Sequence, residues 1–125
     1  MARILLAEDD EALRALCARA LTTDGHEVST ASDGAEALEV IGSADANFDL
    51  LLTDIRMPIM DGIALALSVA RDQPALTILL MTGYADQRER AHGLDAIIHD
   101  VIAKPFSVTT LRSAVSEALT MRTRN

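Results

Sequence analysis

Apolar positions follow two rhythms along this chain. Short continuous runs such as Ile4-Leu5-Leu6-Ala7 and Leu50-Leu51-Leu52 read as strands buried on both faces. The sequence between the runs repeats its apolar residues at the spacing of a helix with one buried face. The first run predicts a strand over 3–7. Leu13, Leu16, Cys17, Ala20 and Leu21 then mark the inner stripe of a helix, which Asp24-Gly25 stops. A more polar run over 26–31 predicts a second strand near a sheet edge. Ser32-Asp33-Gly34 opens a helix with Ala37, Leu38 and Ile41 inward, and 42–47 is a loop of small and polar residues. A central strand over 48–53 leads into a loop over 54–62 that contains Pro58 and Gly62. Ile63, Ala66, Leu67 and Ala70 form the next stripe, closed by a turn at 72–74. Strands over 76–81 and 101–103 flank a thinly apolar helix over 87–94, the weakest element of the chain. Val108, Leu111, Val115, Ala118 and Leu119 mark the last helix. Strands and helices alternating in this way predict an α/β fold: a doubly wound (βα)5 domain with a five-stranded parallel sheet. The expectation is one domain over 1–125, with no linker, repeat or output domain.

Composition narrows the function classes. Half of the 125 residues are hydrophobic, enough for a single core. No apolar run approaches the roughly 20 residues of a membrane span. The chain starts on a strand without the basic-then-apolar pattern of a secretion signal, so a cytoplasmic protein is expected. Cys17 is the single cysteine and falls on an inner stripe, which reads as a small buried hydrophobe. The net charge of −8, scattered basic residues and a near absence of aromatics disfavour nucleic acid or an anionic membrane as partner. Arg122 and Arg124 read as a solvated helix end.

The polar residues that end the apolar runs carry the chemistry. Glu8-Asp9 follow the first strand, Asp54 the third, Thr82 the fourth and Lys104 the fifth. In an open parallel sheet the carboxyl ends of the strands line one crevice. Three carboxylates, a hydroxyl and an ammonium should therefore meet. Like charges packed this closely repel, and a hard dication resolves the repulsion. Mg²⁺ takes oxygen ligands and keeps several waters, whereas no His/Cys cluster is present to suit zinc. Beside such a metal Asp54 is a candidate nucleophile, able to form an acyl phosphate. Lys104 would neutralise charge on the transferring oxygens, and Thr82 could offer its hydroxyl. Taken singly, the acidic pair also reads as a helix cap and the threonine as structural. The signal lies in the ordered set at four strand ends.

These residues carry a resemblance over essentially the full length. With Glu8-Asp9, Thr53-Asp54-Ile55-Arg56-Met57-Pro58, Met60-Asp61-Gly62, Thr82-Gly83 and Lys104-Pro105-Phe106, the chain resembles the receiver domain of bacterial two-component response regulators, the CheY-like fold. The resemblance implies that Asp54 accepts a phosphoryl group from a phosphohistidine on a histidine kinase or histidine phosphotransferase. It implies Mg²⁺ held by Glu8, Asp9, Asp54 and the backbone carbonyl of Arg56, with Asp9 the direct ligand and Glu8 acting largely through water. Thr82 and Lys104 would contact the phosphoryl group, and the Lys104–Pro105 bond would be cis. The implied role is a switch that can shed its own phosphoryl group, not a conventional enzyme. Its partner surfaces would lie on the fourth helix, fifth strand and fifth helix. One position departs from the pattern: three residues before the lysine many receivers carry Tyr or Phe, and here stands Val101. Tyr84 is the tyrosine that could substitute.

Below the family level, residues 1–10 and 98–107 resemble the CpdR-type single-domain regulators of alphaproteobacteria. That implies phosphorylation-controlled binding to the ClpX unfoldase and regulated ClpXP proteolysis in the cell cycle, with the unphosphorylated form active and His99 on a partner surface. A generic receiver acting as a phosphorelay shuttle, or on another target, is the alternative. A haloacid-dehalogenase-type phosphatase needs a second Asp two residues after the nucleophile, and here that position is Arg56. A flavodoxin-like cofactor binder would place phosphate against Glu8-Asp9, which repel it.

Overall fold

The computed structural model describes residues 2–43, 47–83, 91 and 93–124, with side chains through residue 121. In chain order the elements are β1 (Arg3–Ala7), α1 (Glu11–Thr23), β2 (Glu27–Ala31), α2 (Gly34–Ile41), β3 (Leu50–Asp54), α3 (Gly62–Asp72), β4 (Thr77–Thr82), β5 (Asp100–Ala103) and α4 (Val108–Arg124). The five strands form one parallel sheet in the order β2-β1-β3-β4-β5. The strand order reverses at β1, so β1 and β3 flank the switch point where a doubly wound sheet opens a crevice at its carboxyl edge.

Period-two alternation divides each central strand between two cores. Leu5, Ala7, Leu51, Ile78 and Leu80 pack with Ala37 and Ile41 of α2 and with Leu65, Ala66 and Val69 of α3. Ile4, Leu6, Leu50, Leu52, Leu79 and Met81 face the other way, onto Cys17 and Leu21 of α1 and Leu111, Val115 and Ala118 of α4. Every residue of β3 is buried, as a central strand covered on both faces requires. The edge strand β2 buries only Ala31, which explains its polar sequence.

Each of the first three helices starts at an aspartate that accepts a hydrogen bond from the backbone three residues on: Asp10 from Leu13 (3.1 Å), Asp33 from Glu36 (2.8 Å) and Asp61 from Ala64 (2.9 Å). Such caps satisfy amides that the first helical turn leaves unpaired.

Several sequence expectations shift. β3 begins at Leu50 and includes Asp54, because Asp49 engages the Arg3 backbone instead. Its N–H donates to the Arg3 carbonyl and its carboxylate accepts the Arg3 N–H, both at 2.8 Å. The apolar spacing puts Leu16 on the inner face of α1, but it is 49% exposed. The buried face centres on Cys17 and Leu21, and one residue along a helix turns about 100°. The same rotation leaves Leu67 of α3 50% exposed beside buried Leu65, Ala66 and Val69. Val108, at the first residue of α4, is also exposed. The expected helix over 87–94 lies largely outside the described residues, as do Tyr84, residues 44–46 of the second loop and the side chains of Arg122 and Arg124. Among the described residues no helix is long and apolar enough to cross a membrane.

Candidate functional site

The crevice at the carboxyl edge holds a cavity of about 610 Å³. Its wall comprises Glu8, Asp9 and Asp10 after β1, Leu13 of α1, Asp54 and Arg56 from the end of β3, Gly83 after β4, and Lys104-Pro105-Phe106 after β5. Carboxylate oxygens of Glu8, Asp9 and Asp54 all lie within 4.8 Å of one another. Lys104 bridges two of these acids, with Nζ 2.7 Å from Glu8 Oε1 and 3.1 Å from Asp54 Oδ1. The other Glu8 oxygen accepts the Asp10 N–H at 3.1 Å. The Asp54 Oδ1 atom also accepts the Ile55 N–H at 3.0 Å.

Four of the five residues expected at this edge are thus gathered around one point. Thr82 is the last residue of β4, buried, and its carbonyl accepts the Lys104 N–H at 2.7 Å; Gly83 directly after it lines the cavity. Arg56 lines the cavity and is exposed. The Lys104–Pro105 bond is cis, as the resemblance implied. Val101 is partly buried against the core. His99 is not free at a surface: its Nε2 lies 3.8 Å from Glu117 Oε1 and its side chain is one-fifth exposed.

Two residues escaped sequence reasoning. Asp10 caps α1 and through its N–H holds Glu8 in place; the signal was its position directly before a helical pattern. Arg14 donates to the Glu8 carbonyl at 2.8 Å, a contact with no local sequence signal.

The electrostatics favour a cation. Each like-charged pair at this separation repels by on the order of 3 kcal/mol at an effective dielectric of about 20. Burial pushes Glu8 up to about 7, partly offset by the Lys104 and Asp10 hydrogen bonds. Burial likewise raises Asp54 against the pull of Lys104. Burial disfavours the Lys104 ammonium, yet Glu8 and Asp54 outweigh it and hold the lysine above its usual range. Cys17, buried under the same sheet edge, is pushed up to about 11 by desolvation and then by Glu8, which makes it an inert hydrophobe.

A pH dependence follows. Glu8 is raised in the folded state, so its contribution is fully present below its unfolded value of 4.5 and is lost as pH rises through about 7. Without metal, the Glu8 contribution should lower stability by on the order of 1–3 kcal/mol across that window. Urea unfolding at stepped pH with a chelator checks this, and Mg²⁺ should flatten the curve. A metal-free profile that rises from pH 5 to 7 would contradict the assignment.

The family model for the response regulator receiver domain matches residues 4–116. Response regulator MprA of Mycobacterium ulcerans is 38% identical over 122 residues, covering 98% of this chain and 51% of that protein. Transcriptional regulatory protein TcrA of Mycobacterium tuberculosis is 34% identical over 109 residues, covering 87% and 42%. The chain therefore spans about half the length, or less, of these curated relatives. Among solved structures, response regulator protein TrrA of Thermotoga maritima in complex with Mg²⁺-BeF superposes with a TM-score of 0.84 at 29% identity, covering 94% of this chain and 99% of that one.

Proposed function

We propose, for a chain that belongs to the response regulator receiver domain family, that Asp54 is the phosphoacceptor of a Mg²⁺-dependent switch. The observation that carries this reading is the buried Asp54 carboxylate at the base of an open cavity, with Lys104 Nζ at 3.1 Å and two further carboxylates beside it. An Asp54 oxygen attacks phosphorus, a P–O bond forms, and the P–N bond of a phosphohistidine breaks with its electron pair returning to the imidazole. Lys104 meets the charge on the transferred oxygens, and Thr82 offers its hydroxyl from the end of β4. The all-oxygen donor set of Glu8, Asp9 and Asp54 fits Mg²⁺; Asp9, Asp54 and the Arg56 carbonyl would hold the ion, with Glu8 adding charge beside them. Bound there, the ion supplies positive charge to the phosphoryl oxygens. The solved complex of TrrA with Mg²⁺-BeF supports this choice of ion.

Asp9 is exposed and uncommitted to Lys104, whereas Glu8 is already bridged. Isothermal calorimetry should therefore show Asp9→Ala weakening Mg²⁺ binding at least about tenfold, or 1.4 kcal/mol, and Glu8→Gln weakening it less. An affinity unchanged in Asp9→Ala would remove Asp9 from the metal set.

The output is a separate question. The resemblance of residues 1–10 and 98–107 to CpdR-type regulators is what supports an output in which the unphosphorylated form binds ClpX. The relatives do not add to that support, and the name of TcrA points to transcription in a longer protein. The ClpX-directed output rests on the sequence resemblance, the single-domain organisation on the one unbroken strand–helix alternation, and the expectation of no nucleic-acid partner on composition. Capture of the ClpX amino-terminal region by unphosphorylated but not phosphorylated protein would establish the proteolytic output. Equal capture in both states would reject it.

A further inference from the structure

Of the three clustered acids, Asp9 is the one whose side chain nothing grips. Glu8 and Asp54 are both bound by Lys104, at 2.7 and 3.1 Å. The Asp9 side chain is exposed, and among the described residues its carboxylate has no hydrogen-bond or ion-pair partner. One of its oxygens nevertheless lies within 4.8 Å of an oxygen on each of the other two acids. With the side chain free, the backbone must place it.

That backbone is held on both sides of Asp9. Before it, the Glu8 N–H donates to the Ala31 carbonyl at 3.0 Å. After it, the Asp10 N–H donates to the Glu8 carboxylate and the Asp10 carboxylate accepts the Leu13 N–H, both at 3.1 Å. Arg14 closes the arrangement from α1. Its N–H donates to the Asp10 carbonyl at 2.8 Å, and its Nη1 donates to the Glu8 carbonyl at 2.8 Å. One residue thus ties both chain neighbours of Asp9 to the helix.

The partner that Arg14 takes is informative. It follows Asp9, Asp10 and Glu11 in sequence, yet among the described residues it forms no ion pair. Its guanidinium goes to a neutral carbonyl instead. A hydrogen bond from a charged donor is directional and stronger than a neutral one, so it fixes the Glu8 peptide well. Electrostatics alone argues against a cation here, because positive charge beside a dication site repels the ion. Geometry argues for it. Mg²⁺ demands near-octahedral oxygen ligands at about 2.0–2.1 Å and tolerates little displacement of any of them.

We propose that Arg14 is a positioning residue for the metal site, holding the backbone on both sides of Asp9 so that the free Asp9 carboxylate is presented to Mg²⁺. This rests on Asp9 being a direct ligand. Arg14 does not line the cavity; it acts through the Glu8 and Asp10 carbonyls. The helix does not depend on its side chain, since α1 is capped by Asp10 and packed through Cys17 and Leu21.

The test is isothermal calorimetry with Mg²⁺ and with Ca²⁺ on wild type, Arg14→Met and Arg14→Lys. Met keeps an unbranched stem and suits a helix, so the fold survives. Arg14→Met should bind Mg²⁺ about tenfold more weakly, the low end for loss of a residue that orients a ligand. Ca²⁺ accepts longer and less regular ligand arrangements and should lose less than about threefold. Arg14→Lys keeps a charged donor and should stay within about threefold of wild type for both ions. Removing a cation that only repels would instead tighten both ions alike, since both carry the same charge. Unchanged or tighter Mg²⁺ binding in Arg14→Met would therefore overturn the proposal. So would an equal loss of Mg²⁺ and Ca²⁺ in that variant, or a loss of Mg²⁺ in Arg14→Lys as large as in Arg14→Met. Wild-type protein that binds no Mg²⁺ would show that the metal reading itself had failed, and the role of Arg14 with it.

Discussion

Gly62→Ala is expected to abolish the native site and to destabilise the fold by about 3 kcal/mol or more. A Cβ at this position would sit 2.0 Å from the Asp54 carbonyl oxygen, 2.9 Å from its carbonyl carbon and 3.0 Å from the Ile55 Cα. All three are backbone atoms of a strand terminus paired in the sheet, with Asp54 opposite Met81 and the Ile55 N–H donating to the Met81 carbonyl at 3.0 Å. No flexible side-chain end can give way. Either α3 backs off and loses the Gly62-to-Ile55 hydrogen bond, or β3 shifts and carries the Asp54 carboxylate away from Lys104. Urea denaturation should show the lowered midpoint, and Mg²⁺ titration the weakened site. A variant with wild-type stability would mean that the close approach of α3 to the end of β3 is wrong.

Lys104→Ala is expected to keep Mg²⁺ binding and to lose the switch. The carboxylates that would hold the ion remain, and the like-charge repulsion that favours it grows. What disappears is the side chain spanning Glu8 and Asp54, at 2.7 and 3.1 Å. Lys104 directly follows β5, and its N–H donates to the Thr82 carbonyl at 2.7 Å, so a pull on its ammonium acts on β5 and on the segment leading into α4. Without it, phosphoryl charge at Asp54 has no rigid lever to the far edge of the sheet. Addition of Mg²⁺ and beryllofluoride should then move the amide resonances of β5 and α4 far less than in wild type, by about tenfold if the minor state shifts by 1.4 kcal/mol. A full-sized response would show that Lys104 is dispensable for transmission.

Much of this arrangement was legible in the sequence because the topology forces it. A parallel sheet puts every strand's carboxyl end on one edge, so ordering the polar residues at those ends was enough to assemble Glu8, Asp9, Asp54 and Lys104. The β1 bounds followed from a clean apolar run between Ala2 and Glu8. Helix faces were less legible. Leu16 and Leu67 satisfy an apolar spacing as well as their neighbours do, and only the packing partner decides which residue points inward. Thr82 ends β4, as the apolar run before it implied, and Gly83 directly after it lines the cavity. The contacts from Arg14 to Glu8 and from Glu8 to Lys104 join residues far apart in sequence or with no motif between them.

That Asp54 is the acceptor of a Mg²⁺-dependent phosphoryl transfer is tested most directly by intact-mass measurement after incubation with acetyl phosphate. The expected result is a single added phosphoryl group that needs Mg²⁺, is lost at alkaline pH as an acyl phosphate should be, and is absent from Asp54→Asn. Labelling of Asp54→Asn to a yield comparable with wild type, or labelling that persists in chelator, would contradict it.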